Sequence, residues 1–303
     1  MSAPQVRPFH RDDRDQLTEL VNAHVAAVVP GLSVSVNTVL SAMARQPDEF
    51  ITDAWVAERT TLVAEQRGHL VAGAHLLRYR ADTGVREQYR NAGCVEWFVC
   101  RPPGSLWPDA DQTADLLTAA CLARLARWHV RVRYADGALP APAVYGLPRP
   151  WPHIRAACER AGFRHTGDTE VLLIAEVTDL PSVTPPAAVR VDRSVGECGT
   201  RFTARSDADE LGFVEIDTTL DRPERHARGG GLADIGNLHL ARPVAGLETW
   251  LLARAAHWLR LSGVRILLAY ESAGDAAAIG RLTSAGFHEL TRTDRGWEHR
   301  PTG

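Results

Sequence analysis

Ala161-Gly-Phe-Arg-His-Thr-Gly-Asp168 returns later in the chain, in altered form, as Ala285-Gly-Phe-His-Glu-Leu-Thr-Arg292. Each copy follows a short helical segment. Further upstream, each half has an amphipathic helix and then a β-like run that ends in tyrosine. These segments are 116–128 and 130–134 in the first half and 249–258 and 264–270 in the second. The order strand, long helix, strand, short helix, AGF, strand therefore occurs twice, which predicts two related α/β domains.

A linker is predicted at Pro181-Ser-Val-Thr-Pro-Pro-Ala-Ala188, because a segment rich in proline and small residues is stiff and forms sheet poorly. It would join an N-terminal domain, residues 1–180, to a C-terminal domain, residues 189–303. We expect each domain to have a mixed sheet flanked by helices.

The two halves differ at their front ends. The first half has two additional helices, predicted near 14–28 and 36–45, the second ended by Pro47. The second half begins directly in strands, so we expect it to be truncated at its N-terminal end. The remaining strands are predicted over 54–57, 61–66, 69–77 and 93–100 in the first half and over 189–193, 200–206, 210–217 and 235–241 in the second.

Composition removes several function classes. A net charge of −3 argues against a general nucleic-acid-binding protein, since such proteins carry a basic surface. No apolar run approaches bilayer-spanning length, and the N-terminus has no apolar signal segment, so we expect no membrane partner and a cytoplasmic location.

The five cysteines are scattered and form no CxxC pair, and the histidines do not cluster with them. This pattern favours buried reduced thiols and no metal site.

The chain has no lysine, so all 34 of its basic residues are arginine. A Schiff-base lysine for pyridoxal phosphate or a class I aldolase is therefore excluded, as are the lysines of P-loop enzymes and kinases. No Gly-x-Ser-x-Gly motif is present, which removes the support for a serine hydrolase.

The repeated order, with AGF after the last helix and a helix launched from a central strand, resembles the GCN5-related N-acetyltransferase (GNAT) family. The resemblance covers nearly the whole chain as two tandem copies, similar to actinobacterial tandem members. Its most specific part is Gly236-Asn-Leu-His-Leu-Ala-Arg-Pro-Val-Ala-Gly-Leu-Glu-Thr-Trp-Leu-Leu252, with 258–263 and 289–297. The resemblance implies transfer of an acyl group from acetyl-CoA, or another acyl-CoA, to the amine of a small metabolite.

The resemblance also implies a coenzyme site where the fourth strand splays from its neighbour and a Gly-rich loop opens the next helix. Backbone N–H groups there would receive the pyrophosphate. In the second half, the residues in this position are Leu240, Arg242, Ala245, Gly246, Leu247 and Thr249.

Both loops depart from the family pattern. The second-half loop is about two residues short, and Glu248 stands where a small residue is usual, so its charge would repel a diphosphate. The first-half loop, 101–109, contains prolines without N–H groups and is followed by Asp111 and Asp115. A second interpretation therefore stays open, in which a GNAT scaffold binds or transforms a small metabolite without coenzyme A.

The acceptor site is predicted in the first half. Glu96 lies in the apolar strand 94–100, where it would act as a base or an amine anchor, although a strand-end carboxylate paired with arginine fits about as well. Tyr134 and Asp136 end the next strand, at the edge where α/β sheets bind ligands, but Ala-Asp-Gly is also strong turn chemistry.

Tyr145, Trp151 and His239 are further candidate site residues. Tyr145 and Trp151 lie in a proline-rich loop, 139–153, that would form either a pocket wall or a rigid surface connector. His239 alternates with leucines and would face the second half's cleft, although a lone strand histidine is more often structural. The family's general-acid tyrosine has no counterpart, because Cys158 and Leu282 occupy its position.

Overall fold

The computed structural model describes residues 3–44, 53–104, 106–184, 186, 188–207, 209–218 and 231–299. The chain divides into two compact units. Unit 1 comprises Met1–Thr169 and Thr293–Gly303, and unit 2 comprises Glu170–Arg292.

The helices and strands follow the expected order. The helices are α1 (Arg14–Val28), α2 (Val36–Met43), α3 (Ala110–Arg127), α4 (Pro152–Arg160), α5 (Leu247–Leu261) and α6 (Ala276–Ser284). The first eight strands are β1 (Gln5–Pro8), β2 (Val56–Gln66), β3 (His69–Tyr79), β4 (Ala92–Cys100), β5 (Val132–Ala135), β6 (Leu147–Pro148), β7 (Arg164–His165) and β8 (Thr169–Glu176). The others are β9 (Arg190–Gly196), β10 (Gly199–Ser206), β11 (Asp209–Asp217), β12 (Leu232–Leu240), β13 (Ile266–Ser272), β14 (His288–Asp294) and β15 (Trp297–His299).

Unit 1 is built on a seven-stranded sheet in the order β1-β2-β3-β4-β5-β15-β7. Its pairs are antiparallel except β4 and β5, which are parallel. Helices cover both faces. A Cβ on Gly73 of β3 would lie 2.8 Å from Leu17 of α1, and a Cβ on Gly93 of β4 would lie 2.7 Å from Leu125 of α3. Glycine at these two positions lets the helices approach the sheet closely.

Unit 2 has a sheet in the order β14-β8-β13-β12-β11-β10-β9. Strands β12 and β13 are parallel, as β4 and β5 are in unit 1. The core lies between this sheet and helices α5 and α6, with Trp250, Leu251, Leu259 and Leu282 among its buried members. The short strand β6 pairs with the last two residues of β14, which belong to unit 1.

Each unit takes one strand from the far half of the sequence. β8, which precedes the proline-rich segment, pairs with β13 over seven residues in unit 2. β15, near the end of the chain, pairs with β5 and β7 in unit 1. The chain therefore passes between units after Thr169 and after Arg292, whereas the sequence places the boundary at 181–188. Local hydrophobic patterns carry no information on which sheet a strand joins, so they could not predict this exchange.

The predicted element order is confirmed, with one difference in detail. The strands predicted over 54–57 and 61–66 are a single strand, β2, because Glu58, Arg59 and Thr60 continue the antiparallel pairing with β3. After β9, the described residues of the second half contain only the helices α5 and α6, so the truncated front end is confirmed for them. The predicted helix end at Arg45 and Pro47 lies outside the described residues.

Candidate functional site

In unit 1, the gap between the parallel strands β4 and β5 is partly closed. Strand pairing ends at Val95 and Ala135. The chain after β5 then continues along β4, because the Asp136 N–H donates to Val95 O (3.1 Å) and the Ala138 N–H donates to Glu96 O (2.7 Å). These backbone groups of β4 are therefore occupied by the protein itself and are not available to a bound chain.

Glu96 lies at a β-bulge in β4. His75 of β3 is paired with Trp97 and Leu76 with Val95, so Glu96 is the additional residue. A bulge re-aims its side chain and is common beside functional sites. The Glu96 carboxylate lies 3.7 Å from His75 Nε2, and 30% of the side chain is exposed. The structure therefore places Glu96 on the sheet surface, beside a histidine that is buried.

Asp136 contacts a buried thiol on the same sheet. Cys94 Sγ lies 3.3 Å from Asp136 Oδ2, to which it donates a hydrogen bond. Burial raises the pKa of the Asp136 carboxyl, opposed by the Cys94 hydrogen bond and by Arg295. Burial also raises the pKa of Cys94, and the charges of Asp136 and Glu96 raise it further. Asp136 therefore contacts Cys94 directly, whereas Glu96 acts on the same thiol only through its charge.

The aromatic residues near this site are ordered by mutual packing. Tyr134 donates its hydroxyl to Gln88 O (3.1 Å), and its ring contacts Tyr89 with centroids 5.6 Å apart. The Arg295 guanidinium lies 4.9 Å from the centre of the Tyr145 ring. Trp151 is only 1% exposed and donates from its indole to His24 O (3.1 Å). Trp151 thus lies in the interior of unit 1, and its role as a pocket wall stays a prediction.

In unit 2, the corresponding gap is open. Pairing of β12 with β13 ends at Asp234 and Leu268. Beyond this point β12 continues to Leu240 on β11, and β13 continues to Ser272 on β8. Within the described part of the chain, no backbone hydrogen bond joins the two strands there. A bulge at Gly236 matches the Glu96 bulge in unit 1.

Asp234 and Tyr270 stand at this opening, and sequence reasoning missed both as site residues. Burial, followed by repulsion from Asp217, raises the pKa of Asp234 to about 7. Its Oδ1 atom is buried and has no hydrogen-bond partner among the described residues. Burial raises the pKa of Tyr270, and the charge of Asp234 contributes. The sequence carries a signal for both residues. Asp234 is a carboxylate in an apolar strand and Tyr270 lies near the end of the next strand, which is the pattern that made Glu96 and Tyr134 candidates in the first half.

The start of α5 holds the residues predicted to bind coenzyme. Arg242, Ala245 and Gly246 are exposed, and Leu240 and Thr249 are half-buried. Leu247 is fully buried in the core and its N–H donates to Val244 O (3.1 Å), so its N–H is not available to a phosphate. The next two N–H groups, of Glu248 and Thr249, belong to the first helical turn, which has no intrahelical acceptor.

The start of α3 in unit 1 differs from that of α5. The Arg101 N–H donates to Val71 O and the Trp107 N–H to Gly104 O. Arg160 pairs with Asp115 at 2.8 Å and lies 3.6 Å from Asp111. A diphosphate at this helix start would need free hydrogen-bond donors. The loop instead contains prolines, N–H groups that are already bonded, and two carboxylates nearby, so it is poorly suited to bind one.

The other predicted positions have simple environments. His239 is exposed, with its ring centre 5.6 Å from that of Phe213, while Leu238 and Leu240 pack against the core. The strand alternation is thus as predicted. Burial raises the pKa of the Cys158 thiol to about 12, so this residue is an inert thiol at neutral pH. Leu282 is a core residue.

No three or more His, Cys, Asp or Glu side chains among the described residues are grouped so that they could hold a metal ion. None of the described helices combines the length and hydropathy that crossing a bilayer requires.

Comparison with known proteins supports the fold. No protein-family profile and no curated protein sequence matches the chain. Among solved structures, a tandem GNAT protein from the clavulanic acid biosynthesis pathway, determined without acetyl-CoA, is similar over 99% of this chain and 100% of its own, with TM-score 0.63 and 14% identity. A GCN5-related N-acetyltransferase from Sphaerobacter thermophilus is similar over 99% of this chain and 97% of its own, with TM-score 0.63 and 14% identity.

A GNAT-family acetyltransferase from Colwellia psychrerythraea is also similar, with TM-score 0.52 and 10% identity over 98% of this chain and 100% of its own. At sequence identities this low, the similarity is evidence for the fold alone. The chain therefore has the GNAT fold, as two copies in tandem, which confirms the fold that the sequence predicts.

Proposed function

We propose that unit 2 transfers an acyl group from acetyl-CoA, or another acyl-CoA, to the amine of a small metabolite. The observation that carries this proposal is the open gap between β12 and β13. Beyond Asp234, β12 presents backbone N–H and C=O groups that no described strand pairs on the β13 side. An extended pantetheine arm carries amide groups that can add to such an edge as a further strand does.

The start of α5 would receive the phosphates. The N–H groups of Glu248 and Thr249 lie at a helix N-terminus, where the helix dipole also favours an anion. Arg242 is exposed and has no carboxylate partner among the described residues. Its guanidinium supplies a positive charge two residues after β12.

Asp234 is suited to accept the proton of the amine. A base is most effective when its pKa lies near the working pH, and that of Asp234 is about 7. In the proposed step the amine nitrogen attacks the thioester carbon, the C–N bond forms and the C–S bond breaks. One amine proton passes to Asp234, and the thiolate of coenzyme A leaves and takes up a proton. Burial, with a contribution from the charge of Asp234, raises the pKa of Tyr270, so Tyr270 keeps its proton at neutral pH.

Calorimetric titration of the full chain with acetyl-CoA tests this function. We expect saturable binding, weakened by Arg242→Ala. Arg254→Ala is the matched control, because Arg254 is another exposed arginine of unit 2, about two turns into α5 and therefore away from its N-terminus. Absence of binding to the wild-type protein, or equal loss in both variants, would contradict the proposal.

A second function is favoured for unit 1, namely binding of a small cationic metabolite without coenzyme A. The carrying observation is the closure of its gap by the Asp136 and Ala138 N–H groups. What remains at that place is the partly exposed Glu96 carboxylate at its bulge, a group suited to binding an ammonium ion. Glu96→Gln keeps the shape and removes the charge. It should abolish cation binding and leave the melting temperature nearly unchanged, and retained binding would refute this role.

A further inference from the structure

A row of polar side chains crosses the sheet of unit 1 from β2 to the bulge in β4. Thr61 and His75 are direct cross-strand partners, and His75 is paired with Trp97, the neighbour of Glu96. Thr61 Oγ1 lies 2.7 Å from His75 Nδ1, and His75 Nε2 lies 3.7 Å from Glu96 Oε2. Three polar groups are thus aligned across strands β2, β3 and β4.

The neighbours of Thr61 determine which nitrogen of His75 carries the proton. The Thr61 hydroxyl also lies 3.2 Å from Met43 Sδ, but a thioether sulfur is a weak acceptor. His75 Nδ1 is the better acceptor, and donation of the hydroxyl proton to it would leave the ring proton on Nε2, on the side of Glu96. The opposite tautomer would place a nitrogen lone pair near a carboxylate, which is repulsive. Burial lowers the pKa of His75 to about 3, so the ring is neutral at pH 7.

The ring has little freedom to move. The side chain of His75 is 1% exposed, and the ring stacks on Trp97 with centroids 5.7 Å apart and an angle of 21°. Nε2 is buried and has no hydrogen-bond partner among the described residues. A separation of 3.7 Å is too long for a hydrogen bond, but such contacts often tighten when a ligand binds. Glu96, in contrast, is exposed enough for a ligand to reach.

We propose that Thr61 and His75 are positioning residues for Glu96. Thr61 fixes the Nε2–H tautomer of His75, and the Nε2–H group orients the Glu96 carboxylate at the bulge toward a primary ammonium ligand. This proposal rests on the second function above, the cation site of unit 1, and is independent of acyl transfer by unit 2.

Histidine-ring NMR of the full chain tests the proposal, with propylammonium as the probe and 1-propanol as its neutral counterpart. The His75 signals are identified as those that are absent from the spectrum of His75→Phe. If that variant does not fold, the signals are assigned by through-bond experiments on the wild-type protein. We expect the Nε2–H tautomer, and a saturable shift of the Nε2 signal with propylammonium but not with 1-propanol. Thr61→Val keeps the shape of the side chain and removes the hydroxyl. It should bind the probe roughly fivefold more weakly, the effect of losing one hydrogen bond, although Thr61 does not contact the ligand.

Thr61→Ser restores the hydroxyl and is the matched control, with affinity close to wild type. An Nδ1–H tautomer, or equal affinity in Thr61→Val and wild type, would overturn the positioning role and leave the cation site standing. No effect of propylammonium on the wild-type protein, or undiminished binding in Glu96→Gln, would overturn the cation site and this proposal with it. None of these measurements uses coenzyme A, so the failure of acyl transfer would be recognised separately.

Discussion

The Glu248 carboxylate and the Arg281 guanidinium form an ion pair beside the first turn of α5, with Oε2 and Nε 2.9 Å apart. The Glu248 side chain is 14% exposed and that of Arg281 is 55% exposed. Sequence reasoning treated Glu248 as a negative charge that would repel a diphosphate. Because Arg281 of α6 offsets that charge, the start of α5 repels an anion less strongly than the sequence suggests.

Glu248→Gln should tighten acetyl-CoA binding two- to fivefold, roughly the range of an exposed charge interaction. The change removes a negative charge and releases Arg281 toward the phosphates. The gain should shrink at high salt, because the charges are solvated. Calorimetry at two salt concentrations measures both effects. Glu289→Gln, which breaks the exposed pair with Arg292 on β14, is the matched control. Weaker binding in Glu248→Gln would count against this coenzyme site.

The raised pKa of Asp234 predicts a specific pH dependence of stability. Between the ordinary carboxyl pKa, near 4, and about 7, the folded protein keeps the Asp234 proton while the unfolded chain loses it. The free energy of unfolding should therefore fall as pH rises through this window.

Asp234→Asn removes this dependence. Relative to wild type, the variant should gain stability steadily from about pH 4 to about pH 7 and show no further change above it. Urea unfolding at a series of pH values measures the difference. A difference that stays constant across the window would show that the pKa of Asp234 is not raised in the folded protein, and it would remove the reason for assigning Asp234 as the base.

Trp297 should be essential to unit 1 although it lies near the end of the chain. It is 2% exposed, donates from its indole to Asp294 O (3.2 Å), and has the Arg155 guanidinium 5.4 Å from its ring centre. Trp297→Ala should lower the free energy of unfolding by about 3–5 kcal/mol, as for other buried tryptophans. Leu106→Ala, at a side chain that is 82% exposed, is the control and should change little. Denaturant unfolding measures the free energy of unfolding of both variants. Equal stability of the two would show that β15 is dispensable.

Much of the fold follows from local sequence patterns. The amphipathic spacing of 116–128 and 249–258 identified α3 and α5, and the repeated AGF segments related the two halves. Hydrophobic period and turn residues suffice for such elements, since they report on burial of one face. The exchange of β8 and β15 could not be predicted in this way, because the same apolar alternation suits a strand in either sheet.

The sites were only partly predictable for a related reason. Glu96 is predicted as a site residue because a carboxylate in an apolar strand is unusual. His75 and Thr61 are not, since their importance depends on cross-strand register with β4, which a bulge shifts by one residue. Asp234 carries the same signal as Glu96, but its environment depends on where β13 leaves β12. The burial of Trp151 against His24 could not be predicted either, because a tryptophan among prolines gives no local sign of the side chains that it packs against.

The coenzyme site of unit 2 would be seen directly in a crystal structure of the full chain with a non-transferring acetyl-CoA analogue. We expect an extended pantetheine arm hydrogen-bonded to β12 beyond Asp234, with the diphosphate at the N–H groups of Glu248 and Thr249. Analogue bound between β4 and β5 in unit 1, where Asp136 and Ala138 now bond to β4, would contradict this expectation.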